Sequence, residues 1–215
     1  FFYNMGDSSF KIHQALRDGL DIRTQKLQEA QAFFKDALSS FTKKEIKEII
    51  EEAYDFDVTG GKLHMTKAQI MSLYELNKRE QGKEHIYKGG IRPTNTKNKR
   101  NPKPIMVNQE DVLRIVSTLS DEDIKLADSI QKFLANNCAA WGNEVTMDMY
   151  GYNKFVEEFY FPITSFDAQV NTNDNNASNG ADKASMFTIL NYGMTKALTP
   201  NANNAIDISN IFDVA

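Results

Sequence analysis

The stretch "DSSFKIHQALRDGLDIRTQKLQEAQAFFKDAL", residues 7–38, decides the fold class. Within it Ile12, Leu16, Leu20, Leu27, Ala30, Phe34 and Leu38 recur at spacings of three, four and seven. That is the 3.6-residue period of an α-helix with one apolar stripe, not the alternation of a strand. Asp7, Ser8 and Ser9 offer side-chain oxygens to the first free N–H groups, so a helix of roughly 30 residues is expected here.

The same period returns down the chain. Thr42, with Glu45 three residues on, makes a capping box for a second helix carrying Ile46, Ile49, Ile50 and Ala53. "DVTGG" (57–61) is expected to end it. Thr66 caps a third, with Ile70, Leu73, Tyr74 and Leu76 inward, fading near Gln81 or His85. Asn108 or Gln109 opens a fourth, with Val112, Ile115 and Val116. "SDED" (120–123) places Ser120 as a cap and acids in the first turn of a fifth, which is expected to run to about Trp141. Residues 144–159 read as a shorter helical pair broken at Gly151, and "YFPI" (160–163) as extended.

One stretch interrupts the helices. "HIYKGGIRPTNTKNKRNPKP" (85–104) has paired glycines and three prolines, Pro93, Pro102 and Pro104, which exclude a continued helix. "GIRP" and "KPIMV" flank its polar tip and are expected to pair. The expected fold is mostly α: an irregular multi-helix domain with a small β-hairpin near 89–107. Its expected parts are a long helix plus a helix (1–60), a helical core with the basic hairpin (61–163), and an Asn-rich loop with a C-terminal segment (164–215), together forming one domain. "NTNDNNASNGAD" (171–182) should be mobile or disordered. "ASMFTILNYGMTKAL" (184–198) reads as a last helix or strand, and "NAIDISNIFDVA" (204–215) as a docked tail or the entry to a further element. Both ends look cut from a longer polypeptide.

Composition narrows the function classes. With 215 residues, 41% apolar, there is enough material for a core. The net charge is −4, yet residues 83–104 carry +6, leaving −10 elsewhere. A single cysteine, Cys138, excludes a disulfide framework and a cysteine zinc site, and suits a reducing compartment. No run approaches the length of a membrane span.

Each motif has a plain reading beside its functional one. "DFDVTGGKLHMT" (55–66) imitates a calcium loop, but its last position is Thr66 where a bidentate Glu belongs. A turn with a Thr cap is preferred, and no metal or other cofactor is expected. His13, His64 and His85 are scattered, and Cys138 is read as a buried structural thiol. Acid pairs Glu51–Glu52 and Glu157–Glu158 are sequence neighbours, so on a helix they do not face one substrate. No catalytic residues are assigned. A pocket lined by Glu144, Tyr152 and Lys154 would revive an enzyme. The aromatic run 141–163 is read as helix-packing core, from the near-helical spacing of Met147, Tyr150, Phe155 and Phe159, with base stacking or a protein contact as the alternative. The basic tip, Lys88, Arg92, Lys97, Lys99, Arg100 and Lys103, is either a phosphate contact or a solvated loop.

Several runs resemble a segment found in the large polyvalent proteins of bacteriophages and mobile elements. They are "MTKAQIMSLYELNKREQ" (65–81), "GGI" (89–91), "WGNEVTMDMYGYNKF" (141–155), "YFPI" (160–163) and "NYGMTKAL" (191–198). The resemblance covers about 60–210. It implies an α-helical module joining peptidase, methylase, helicase or effector domains, with other domains or chains of a phage assembly as partners and no membrane. It implies a location in the virion interior or the bacterial host cytoplasm, and brings no catalytic residues with it. The expected function is a non-catalytic structural or interaction module, virion cargo or scaffold. The alternative is a nucleic-acid-binding module using residues 88–103.

Overall fold

The computed structural model describes residues 6–92, 103–156, 159–165 and 205–214. The chain falls into two compact units, Phe1–Lys43 and Lys44–Ala215.

The first unit is one helix, α1, Asp7–Ala37. Gly6, at φ 91°, holds the cap position where Asp7, Ser8 or Ser9 was expected, so the cap residue offers no side-chain bond. None of the α1 residues is buried.

The second unit begins with α2, Lys43–Glu51. It stops sooner than its apolar spacing suggests. Ala53 opens a strand, β1 (Ala53–Val58), which pairs antiparallel with β2 (Gly61–Thr66), placing Phe56 opposite Leu63 and Val58 opposite Gly61. The cause lies in 53–66 itself. Leu63 and Met65 alternate inward, a period of two, and Thr59-Gly60 is a two-residue hairpin loop. Gly60 donates its N–H to Met106 O at 2.8 Å, and an added Cβ would overlap the Met106 backbone. Asp55 and Asp57 therefore sit on a strand. Asp55 faces His64 at 2.7 Å and Asp57 faces Lys62 at 3.5 Å.

Helix α3, Lys67–Lys78, is the centre of this unit. Thr66 and Gln69 close a reciprocal capping box. Ala68, Ile70, Met71, Leu73 and Leu76 are all buried, and α4, α5, α6 and β2 pack around them. Arg79 breaks the helix, and α4 (Glu80–Glu84) runs into a π-turn, His85–Gly89. Gly82 lies against the Leu76 carbonyl with no room for a Cβ.

The pairing expected near 89–107 is present as a single bridge. Ile91 N donates to Ile105 O at 2.9 Å, and Ile105 N to Ile91 O at 2.8 Å. The tip, 93–102, is outside the described residues. On its other side the strand around Ile91 meets the C-terminal tail, with Ile206 N donating to Gly90 O and Arg92 N to Ile206 O, both at 3.0 Å. Ile206 and Asp207 form β4, which pairs with β3 (Thr164–Ser165), and a short helix, α8 (Ile211–Val214), follows. The tail is thus docked core, with Ile206, Ile208 and Ile211 buried. The Asn-rich stretch and residues 184–198 lie outside the described residues.

Two further capping boxes, Asn108–Asp111 and Ser120–Asp123, start α5 (Gln109–Val116) and α6 (Asp121–Phe133), as the sequence predicts. The fifth helix does not end near Trp141. It passes through a π-turn, Leu134–Cys138, into α7, Ala139–Tyr150, and stops at Gly151 in the left-handed region, φ 75°.

Because Ile206 is fully enclosed, Ile206→Ala should cost about 2–4 kcal/mol in urea unfolding, whereas Ile22→Ala, on exposed α1, should cost under about 0.5 kcal/mol. Equal losses would contradict the docked tail.

Candidate functional site

The basic tip is only partly described. Lys97, Lys99 and Arg100 lie outside the described residues. Lys88 Nζ is 3.0 Å from Glu84 Oε1, one turn back. Arg92 Nη1 is 3.1 Å from Asp207 Oδ2, a long-range pair that ties the root of the tip to the tail. Burial pushes the Asp207 carboxyl up, although Arg92 opposes it. Lys103 is exposed. Two of the six cations named from sequence therefore already hold carboxylates.

A polar cluster that sequence reading missed sits between α3 and α6. Glu75 is 2% exposed and accepts from Lys78 Nζ at 3.0 Å. Lys78 also donates to Asp128 and lies 4.0 Å over the Tyr74 ring. Burial raises the Glu75 carboxyl to about 7, with Lys78 only partly offsetting it. Burial also works against charge on Asp128 and Lys78. There the mutual hydrogen bonds win, lowering the Asp128 carboxyl and raising the Lys78 ammonium. The available clue was the apolar residues on several faces of α3, which leave little room for a mid-helix charge such as Glu75 to reach water. The cluster can hold a proton near neutrality.

Asp111 is the opposite case. Burial disfavours its charge, but donors from Thr59 Oγ1, Thr59 N, Asn108 N and Arg114 outweigh that and hold the carboxyl at about 2. It ties the hairpin loop to the start of α5, and its donors are all within the fold.

An open cleft of about 590 Å³ lies where α2, β2 and α3 meet the tail, with Glu51, Asp207 and Asp213 at its edge. Glu51 is 3.7 Å from Lys47, and Asp207 is held by Arg92. Two of its three carboxylates are thus held by separate cations. His85 is buried, and Cys138 is half-buried with its thiol pushed up by burial. Among the described residues no group of three or more His, Cys, Asp or Glu side chains is placed to hold a metal.

The run 141–155 is an element built on itself. Asn143 Nδ2 donates to Phe155 O, and Phe155 N donates to Asn143 Oδ1, both at 2.8 Å. Gly142 leaves room for the Phe155 ring, which a Cβ would overlap. Lys154 N reaches Thr146 Oγ1 at 3.4 Å. After the Gly151 turn the chain is thereby pinned back along α7. This arrangement corrects the reading of the aromatic run as core. Tyr160, Phe161 and Ile163 are buried, but Val145 is 56% exposed, Met149 65%, Val156 77% and Phe159 61%, with Met147, Tyr150 and Tyr152 exposed as well. Helical spacing placed side chains on faces without saying which face is covered. Glu144 and Tyr152 are exposed, and Lys154 Nζ stands 5.0 Å over the Tyr150 ring.

No protein-family model, no curated protein and no solved structure matches this chain. Among the described residues no helix is long and apolar enough to cross a membrane.

The neutral form of Glu75 favours the fold, because its folded-state pKa is raised above the ordinary 4.5. Its contribution is complete below 4.5 and is lost as pH rises through about 7. Between pH 5 and 8 the unfolding free energy should fall about 2–3 kcal/mol more in the native chain than in Glu75→Gln. Parallel pH profiles would refute the assignment.

Proposed function

We propose that this chain is a non-catalytic interaction module of a bacteriophage-type polyprotein, carried as virion cargo or holding effector domains together, in the virion interior or the bacterial host cytoplasm. One observation carries the reading: a pinned helix and its return leave Val145, Met147, Met149, Tyr150, Tyr152 and Val156 in solvent. Single exposed apolar residues are ordinary, but a run of them on one element marks a protein contact. Val145 and Met149 are one turn apart on the same face of α7. The exposed Tyr150 and Tyr152 rings lie 6.2 Å apart.

The phage assignment is supported by the resemblance of runs 65–81 and 141–155. In this fold those runs are the central helix with its cap and the pinned return that presents the surface. The non-catalytic reading takes Glu75 as architectural, since Lys78 and α6 close over it. The alternative, phosphate contact through 88–103, draws on exposed Lys103 and on Lys97, Lys99 and Arg100. Lys88 and Arg92 already have carboxylate partners, which weighs against it.

A photo-crosslinking residue at Val145, in the parent protein expressed in its host, should give discrete protein adducts that disappear with Met149→Glu. DNA adducts or none would overturn the reading. Anisotropy of labelled DNA with the isolated chain is expected to show no binding. Salt-sensitive binding abolished by charge reversal at Lys97, Lys99, Arg100 and Lys103 would put the DNA reading first.

A further inference from the structure

We propose that α1 pairs antiparallel with α1 of a second copy of this chain. The helix has 31 residues, about 46 Å at 1.5 Å per residue, and none is buried. Ile12, Leu16, Leu20 and Leu27 are each more than half exposed. A helix with this stripe is marginal in water until the stripe is covered.

The charges say what covers it. Leu20, Leu27 and Phe34 stand seven apart, and Leu16, Arg23, Ala30 and Ala37 stand seven apart between them. These are the two core positions of a heptad repeat. All five acids of the helix, Asp7, Asp18, Asp21, Glu29 and Asp36, fall on the three positions furthest from that seam. The cations nearest the stripe, Arg17, Arg23 and Lys26, have long apolar stems that can lie along it. A lipid surface wants a basic polar face, and this one is acidic. Acids and bases are equal in number over 7–37, so a second copy meets no net repulsion.

The register follows from Arg23, the one charge in the seam. A parallel pair would set Arg23 against its own copy in one core layer. An antiparallel pair with its two-fold axis between Asp21 and Ile22 avoids this. Leu16 then faces Leu27 of the second copy, Ile12 faces Phe33, and Arg23 faces Leu20. Arg17 lies beside Thr24 and Lys26 beside Gly19, so no like charges meet. The interface is isologous and closes as a dimer. It uses no residue of the α7 surface, so this proposal and the preceding one fail separately.

The test uses the whole chain. Sedimentation equilibrium across the micromolar range should show a dimer, with association at least tenfold weaker in Leu20→Glu and an unchanged near-ultraviolet spectrum from residues 44–215. A monomer for the unaltered chain would overturn the pairing. The register is read separately in a Cys138→Ser background. Leu16→Cys mixed with Leu27→Cys should oxidise to a 16–27 interchain disulfide. A predominance of 27–27 or 16–16 disulfides would show a parallel pair and overturn the register.

Discussion

Helix α3 is buried on nearly all sides, and the arrangement of the described residues of the second unit follows from covering it. A helix of this length with Ala68, Ile70, Met71, Leu73 and Leu76 inside cannot be shielded from one direction. The hairpin β1–β2 feeds it through the Thr66 cap, while α5 and α6 pack along it. The tail closes the remainder, with α8 against α3 and Ile206 bridged to Ile91. Enclosure also explains the one costly residue on the helix. Glu75 is 2% exposed, and burial raises its carboxyl to about 7 while it accepts from Lys78.

The same logic separates architecture from surface. The most distinctive sequence features of the unit are internal devices: Gly82 against a carbonyl, Gly142 under a phenyl ring, Asn143 gripping the Phe155 backbone, and Asp111 gathering Thr59, Asn108 and Arg114. Such residues are demanded by backbone approach and hydrogen-bond satisfaction, and they need no ligand to account for them. What they leave outward is the apolar surface after Val145, together with a cleft in which Glu51 and Asp207 already hold cations. The proposed function takes that outward apolar surface as a contact for other proteins.

The helical class was legible because it is local. Thr66, Asn108 and Ser120 cap where the sequence places them, since a cap is decided within four residues. The hairpin at 53–66 was not, because Ile46, Ile49, Ile50 and Ala53 keep a helical spacing past the true end of α2. The pairing of Ile91 with Ile105 was expected from the flanks of the basic tip, but its pairing with Ile206, 115 positions away, is one that no local pattern encodes. Burial was the least legible quantity. Tyr150 and Phe159 looked like core and are exposed, while Glu75, which the apolar spacing does not single out, is enclosed. Spacing gives the direction of a side chain, and only the rest of the fold gives what stands in front of it.

The most direct test of the central claim is hydrogen exchange of residues 141–156, compared between the isolated chain and the proposed phage-type polyprotein in its assembled particle. The account predicts slowed exchange on assembly, centred on α7 and the return segment after Gly151, with α3 unchanged. Unaltered exchange there, with slowing confined to residues 88–103, would contradict it and make the basic tip the contact.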